Sequence, residues 1–104
     1  MNDFFREDER LGIKLPFLKL EWHQYSSEVQ EAILLEWENI RGIIPDRIKE
    51  IENQINMLQT RLDHEENFPI SCELNTSIAH HASVINDLWL WYRHNGAAVY
   101  KSHT

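Results

Sequence analysis

At 104 residues the chain supports one domain, and three Gly and three Pro are too few for a many-stranded sandwich or barrel, which needs a turn about every ten residues. Ten Lys and Arg against seventeen Asp and Glu leave a net charge of -7, which repels phosphate backbones and anionic lipid and argues against nucleic-acid and membrane partners. The single cysteine, Cys72, excludes an internal disulfide and any zinc site built on two thiolates, and it fits a reducing compartment. The stretch from Met1 to Arg10 is acidic where a signal peptide is basic and then apolar, and no apolar run approaches the ~20 residues that span a bilayer. A cytoplasmic setting is expected, in which the sequon Asn75-Thr76-Ser77 is a chance match.

The six Gly and Pro divide the chain into a short arm (1–25) and three longer segments. Residues 3–11 read as one or two helical turns closed by Gly12. Ile13, Leu15 and Phe17 then alternate with charged or polar positions as an extended apolar arm, in which Pro16 argues against a central strand. Ser26 or Ser27 offers an N-cap, with Gln30 as capping-box partner of Ser27. Val29, Ile33, Trp37 and Ile40 follow at helical spacing until Gly42, which predicts a first helix over 26–41.

Pro45 suits a first helical position, with Asp46 behind it complementing the macrodipole. Ile48, Ile51, Ile55, Leu58 and Leu62 repeat in steps of three and four, extended backwards by Ile44, and predict a second helix over 45–66. Asn67 or Ser71 caps a third over 70–95, carrying Leu74, Ile78, His81, Ile85, Leu88 and Tyr92 in the same rhythm. Asn95-Gly96 stops it before a tail at 96–104.

The two seams mirror one another: 62 with 74, 58 with 78, 55 with 81, 51 with 85, 48 with 88 and 44 with 92 each sum to 136. A constant sum keeps the seams in register when the chain folds back about Phe68, so a long antiparallel helical hairpin is expected. A parallel homodimer of the second helix is the alternative, with Arg47 and Arg61 facing Glu52 and Glu66. His81, the one polar residue of the seam, reads as a histidine hydrogen-bonded in the core or as a register-fixing, pH-sensitive group.

Cys72, Thr76, Ala79, Ser83 and Asn86 form a second, small-residue stripe against which the first helix would lie. The predicted fold is therefore all-α: a three-helix bundle built on the hairpin, with an N-terminal apolar arm. Leu88-Trp89-Leu90-Trp91-Tyr92 points all around the helix axis at about 100° per residue, more than one small bundle buries on one side. Trp91 shares a face with Val84 among Glu73, Ser77, His80 and Asp87, so either the arm or a second chain must cover it. A second chain is preferred, which makes Trp89, Leu90, Trp91, Tyr92 and Val84 the candidate interaction residues.

Chemistry is sparse. His80, Asp87 and His94 share a face, but seven residues separate ligands by about 10 Å, too far for one ion. His64, Glu65 and Glu73 near the hairpin tip are the remaining metal candidates, and no cofactor is expected. Cys72 reads as a small buried residue with no histidine placed to activate it, and no glycine-rich phosphate loop exists. Ser71-Cys72-Glu73-Leu74-Asn75 resembles, at three of five positions, the Ser-Gln-Glu-Leu-Asp motif of the small sporulation phosphatases of the Spo-zero-E type. Cys72 in place of Gln and Asn75 in place of Asp keep that family's activity from carrying over. The expected function is a non-enzymatic helical protein–protein interaction module, a homodimer or a small partner of another protein. The alternative is a helical metal-binding protein or enzyme using His64, His80 and nearby carboxylates.

Overall fold

The computed structural model describes residues 4–94. The expected tail at 96–104, the Asn95-Gly96 stop and the first residues of the arm lie outside the described residues. Two long helices run antiparallel: α1 spans Ser27–Asp63 and α2 spans Phe68–Arg93. Ahead of them, strands β1 (Phe5–Asp8) and β2 (Ile13–Pro16) form an antiparallel hairpin, followed by a 3-10 turn at Trp22–Gln24. The molecule measures 60 × 23 × 23 Å, and its long axis is set by α1, about 55 Å at 1.5 Å per residue. No helix among the described residues is long and apolar enough to cross a membrane.

The expected first and second helices are one continuous helix, so the fold is a two-helix hairpin with a small sheet in place of a three-helix bundle. Gly42 and Pro45 both lie inside α1. Proline removes one backbone donor and strains the preceding turn, at about 3 kcal/mol, and glycine costs about 1 kcal/mol against alanine. Ile40, Ile44, Ile48 and Ile51 lie on one stripe across this stretch, all buried. Burial of each contributes about 1.5–3 kcal/mol, and together they outweigh the two local penalties. A break at Gly42 would rotate Ile40 and Ile44 out of line.

The helix ends follow local chemistry. Ser26 caps α1 by accepting from the Val29 N–H at 3.2 Å, and Gln30 turns away to donate to the Trp22 carbonyl at 2.9 Å. Asn67 caps α2 by accepting from Ile70 N–H, which places Pro69 in the first turn, where its missing N–H has no intrahelical partner to lose. The helix therefore starts at Phe68, two residues before the expected boundary, and α1 ends at Asp63 before a short loop.

The hairpin registers Phe5 with Pro16 and Asp8 with Ile13. Residues expected to make helical turns form β1 and a reverse turn instead. The Asp8 carboxylate accepts from Leu11 N–H at 2.9 Å, its carbonyl accepts from Gly12 N–H at 2.7 Å, and Gly12 takes φ +75, which a side chain disfavours. Pro16 sits at the strand end, where it breaks no interior ladder. The arm is thus a small amphipathic sheet whose Phe5, Leu11 and Ile13 are buried in the same core as Ile33, Trp37, Ile44, Ile48, Val84 and Leu88.

Candidate interaction surface

The β-hairpin lies across the open-end half of the helical pair and is fastened to both helices. The Arg10 guanidinium bonds Asp87 at 2.7 Å and the Ser83 hydroxyl at 3.0 Å, both on α2. On α1, Arg47 Nε donates to the Leu11 carbonyl at 2.9 Å. The turn carrying Leu11 therefore bridges the cleft between the helices. Phe5 stacks on Trp37, with centroids 6.4 Å apart at 5°, and Trp37 in turn meets Trp91 edge-on at 5.7 Å.

These contacts decide where each candidate interaction residue lies. Val84 is buried beneath the hairpin, and Trp91 packs on Trp37 at the edge of the core. The arm and α1 cover this face. Trp89 and Leu90 point outward, 38% and 44% exposed. Tyr92 is half-buried between Trp89, at 5.5 Å edge-on, and the Arg41 guanidinium, 5.0 Å from its ring. Arg41 also donates to the Tyr92 carbonyl at 3.0 Å. A hydrogen bond from Arg41 to Glu38 raises the guanidinium pKa, against a small opposing effect of burial, so this clamp stays charged.

Towards the loop, no element among the described residues lies over the helical pair. The seam residues Ile55, Leu58, Leu62 and Ile78 are only half-buried, and Met57 and Phe68 are 70% and 76% exposed. Gln54, Met57, Leu58, Arg61, Ser77 and His81 line an open groove of about 320 Å³. Gln54 and Arg61 follow Arg47 at steps of seven, and Ser77 precedes Val84 and Trp91 at the same step. Seven residues are close to two helical turns, so the groove continues the cleft that Leu11 fills at the other end. His81 lines it half-buried, with Nδ1 2.7 Å from the Ser77 carbonyl, and is not enclosed in the core.

The small-residue stripe, from Cys72 through Thr76, Ala79 and Ser83 to Asn86, faces solvent, because no separate first helix exists to cover it. Cys72 is accordingly exposed rather than buried. Of the metal candidates, His64 bonds the Thr60 carbonyl at 2.9 Å, and the ring of His80 stands edge-on to His81. Among the described residues no three His, Cys, Asp or Glu come together as ligands for one ion.

Of the groove residues, Leu58 and His81 belong to the seams that the spacing predicts and Arg61 flanks one of them, whereas Gln54 and Met57 carry no signal in the sequence. Met57 flanks the heptad seam as an ordinary surface position, and no element among the described residues lies above it to close the groove. Comparison with protein-family models, with curated proteins and with solved structures finds no match.

Proposed function

We propose that this chain is a non-enzymatic helical protein–protein interaction module, and that its first partner is another copy of itself. The observation that carries this reading is that the helical pair outruns its cover. From Ile33 to Ile51 the cleft-facing residues of α1 are buried in one core with the β-hairpin, whereas beyond Ile51 the seam residues Ile55, Leu58, Leu62 and Ile78 are only half-buried beside Met57, Leu74 alone being buried there. A two-helix face left with half-exposed apolar side chains gains from a further layer, which a partner supplies. The exposed pair Trp89 and Leu90 offers a second apolar area on α2, outside the groove lining.

Sedimentation velocity across the micromolar to millimolar range tests the reading. The wild-type chain should associate with rising concentration. Met57→Glu, at a site too exposed to affect folding, should stay monomeric with unchanged helicity. A wild-type chain that remains monomeric throughout would remove self-association as the function.

A further inference from the structure

The outer lip of the groove carries a second heptad pattern, separate from the buried seam. Ile43, Arg47, Glu50, Gln54, Met57, Arg61 and the C-cap residue His64 follow one another in alternating steps of four and three along α1 and its end. That spacing keeps all seven on one stripe over about 32 Å, three heptads of the kind along which helices pair. Ile43 is 51% exposed, Gln54 sits at the centre of the stripe with Met57, 70% exposed, next along it, and Arg47 is half-buried beside the β-turn.

Charge singles out the occupant. The whole chain carries -7, so two copies repel one another over most of their surface. The stripe departs from that excess of negative charge, with Arg47 and Arg61 against one carboxylate, Glu50; the β-hairpin face of Arg6, Lys14 and Lys19 with Glu7 does so too, but only the stripe borders the open groove. Arg47 already bonds Glu50 at 3.2 Å, while Arg61 has no ion-pair partner among the described residues. Glu50 and Arg61 stand eleven residues apart, on either side of Gln54 and Met57.

Resting on the self-association reading, we infer that two copies pair antiparallel along this stripe about a twofold axis between Gln54 and Met57, with Glu50 of each copy meeting Arg61 of the other. In that register positions that sum to 111 face one another: 50 with 61, 54 with 57, and 47 with 64. A twofold axis makes each contact occur twice, so one ion pair forms on each side of the central methionines. Each Met57 then lies beside the other copy's groove, whose Leu58, Ser77 and His81 need an apolar cover. Parallel pairing would set Glu50 against Glu50 and Arg61 against Arg61, and is disfavoured on charge.

Charge reversal in the full chain tests the register. Glu50→Arg and Arg61→Glu should each weaken the dimer by about tenfold or more, because each turns two attractive pairs into repulsive ones. An equimolar mixture of the two single variants should recover association, as should the double variant alone. In parallel pairing a single reversal only exchanges one like-charge contact for another, so unchanged association of both single variants would overturn the inference. If Met57→Glu abolished a dimer that both reversals left intact, self-association would stand and this pairing would fall. A wild-type chain that never associates would remove both. Circular dichroism of each variant, together with recovery in the mixture, separates loss of pairing from loss of fold.

Discussion

The indole of Trp91 meets that of Trp37 edge-on, with centroids 5.7 Å apart at 69°. Trp37 is fully buried, stacks on Phe5 on its other side, and donates through Nε1 to the His94 carbonyl at 3.0 Å. One residue of α1 thus ties the β-hairpin to the end of α2, and Trp91 belongs to that junction.

Trp91→Ala should therefore act first on stability. Removing a large aromatic from the core edge costs about 3 kcal/mol, with loss of the edge-to-face contact included. Urea denaturation should show the midpoint falling. An unchanged midpoint would place Trp91 outside the packing that holds the fold.

Gly42 offers the opposite test. It lies in the middle of α1, is exposed, and a Cβ built there meets no atom within 4 Å. Gly42→Ala should raise stability by about 1 kcal/mol through helix propensity alone. A destabilised variant would mean that the helix bends or opens at this point.

Gly12 behaves differently because of its φ of +75 and its neighbour. A Cβ there would come within 2.5 Å of Arg47 Nε, the group that holds the Leu11 carbonyl. Gly12→Ala should cost about 1–2 kcal/mol in backbone strain and also displace Arg47 from the turn. Amide exchange in β1 and β2 should quicken, while the helical amides near the loop should keep their protection.

Arg10 and Asp87 are each 40% exposed, so their pair contributes little to global stability, ~0.5 kcal/mol. Arg10→Ala should leave the denaturation midpoint almost unchanged, yet loosen the β-turn over α2. Proteolysis between β1 and β2 should accelerate in this variant if Arg10 fastens the hairpin. An unchanged cleavage rate would assign the fastening to Leu11 and Arg47.

Much of the helical pair was legible from spacing. The hairpin is present, and Arg41 reaching the Tyr92 carbonyl lies close to the expected register of 44 with 92. The loop falls at residues 64–67, close to where Pro69 suggested. The break at Gly42 and Pro45 was read from local propensity, and burial of Ile40, Ile44 and Ile48 overrode it. The acidic run after Phe5 suited a helical turn by composition. Its fate depended on Asp8 folding back to cap Leu11 and on a groove that could receive Leu11, which only the packed helices provide.

The candidate surface was legible only in outline. The excess of apolar directions at Leu88 to Tyr92 is real in the sequence, but tertiary contacts divide it. Leu88 goes to the core, Trp91 to Trp37, and Trp89 and Leu90 to solvent. Periodicity reports which residues share a face and says nothing of what lies against that face.

By itself the sequence determined two long apolar stripes, their antiparallel arrangement and a single turn between them, because helical periodicity and capping are local properties. Only the tertiary structure decided that α1 runs unbroken, that the arm is a β-hairpin, and that this hairpin seals half of the cleft and leaves the other half open. Those outcomes depend on burial summed over residues distant in sequence, and that sum exceeded the local cost of one proline and one glycine.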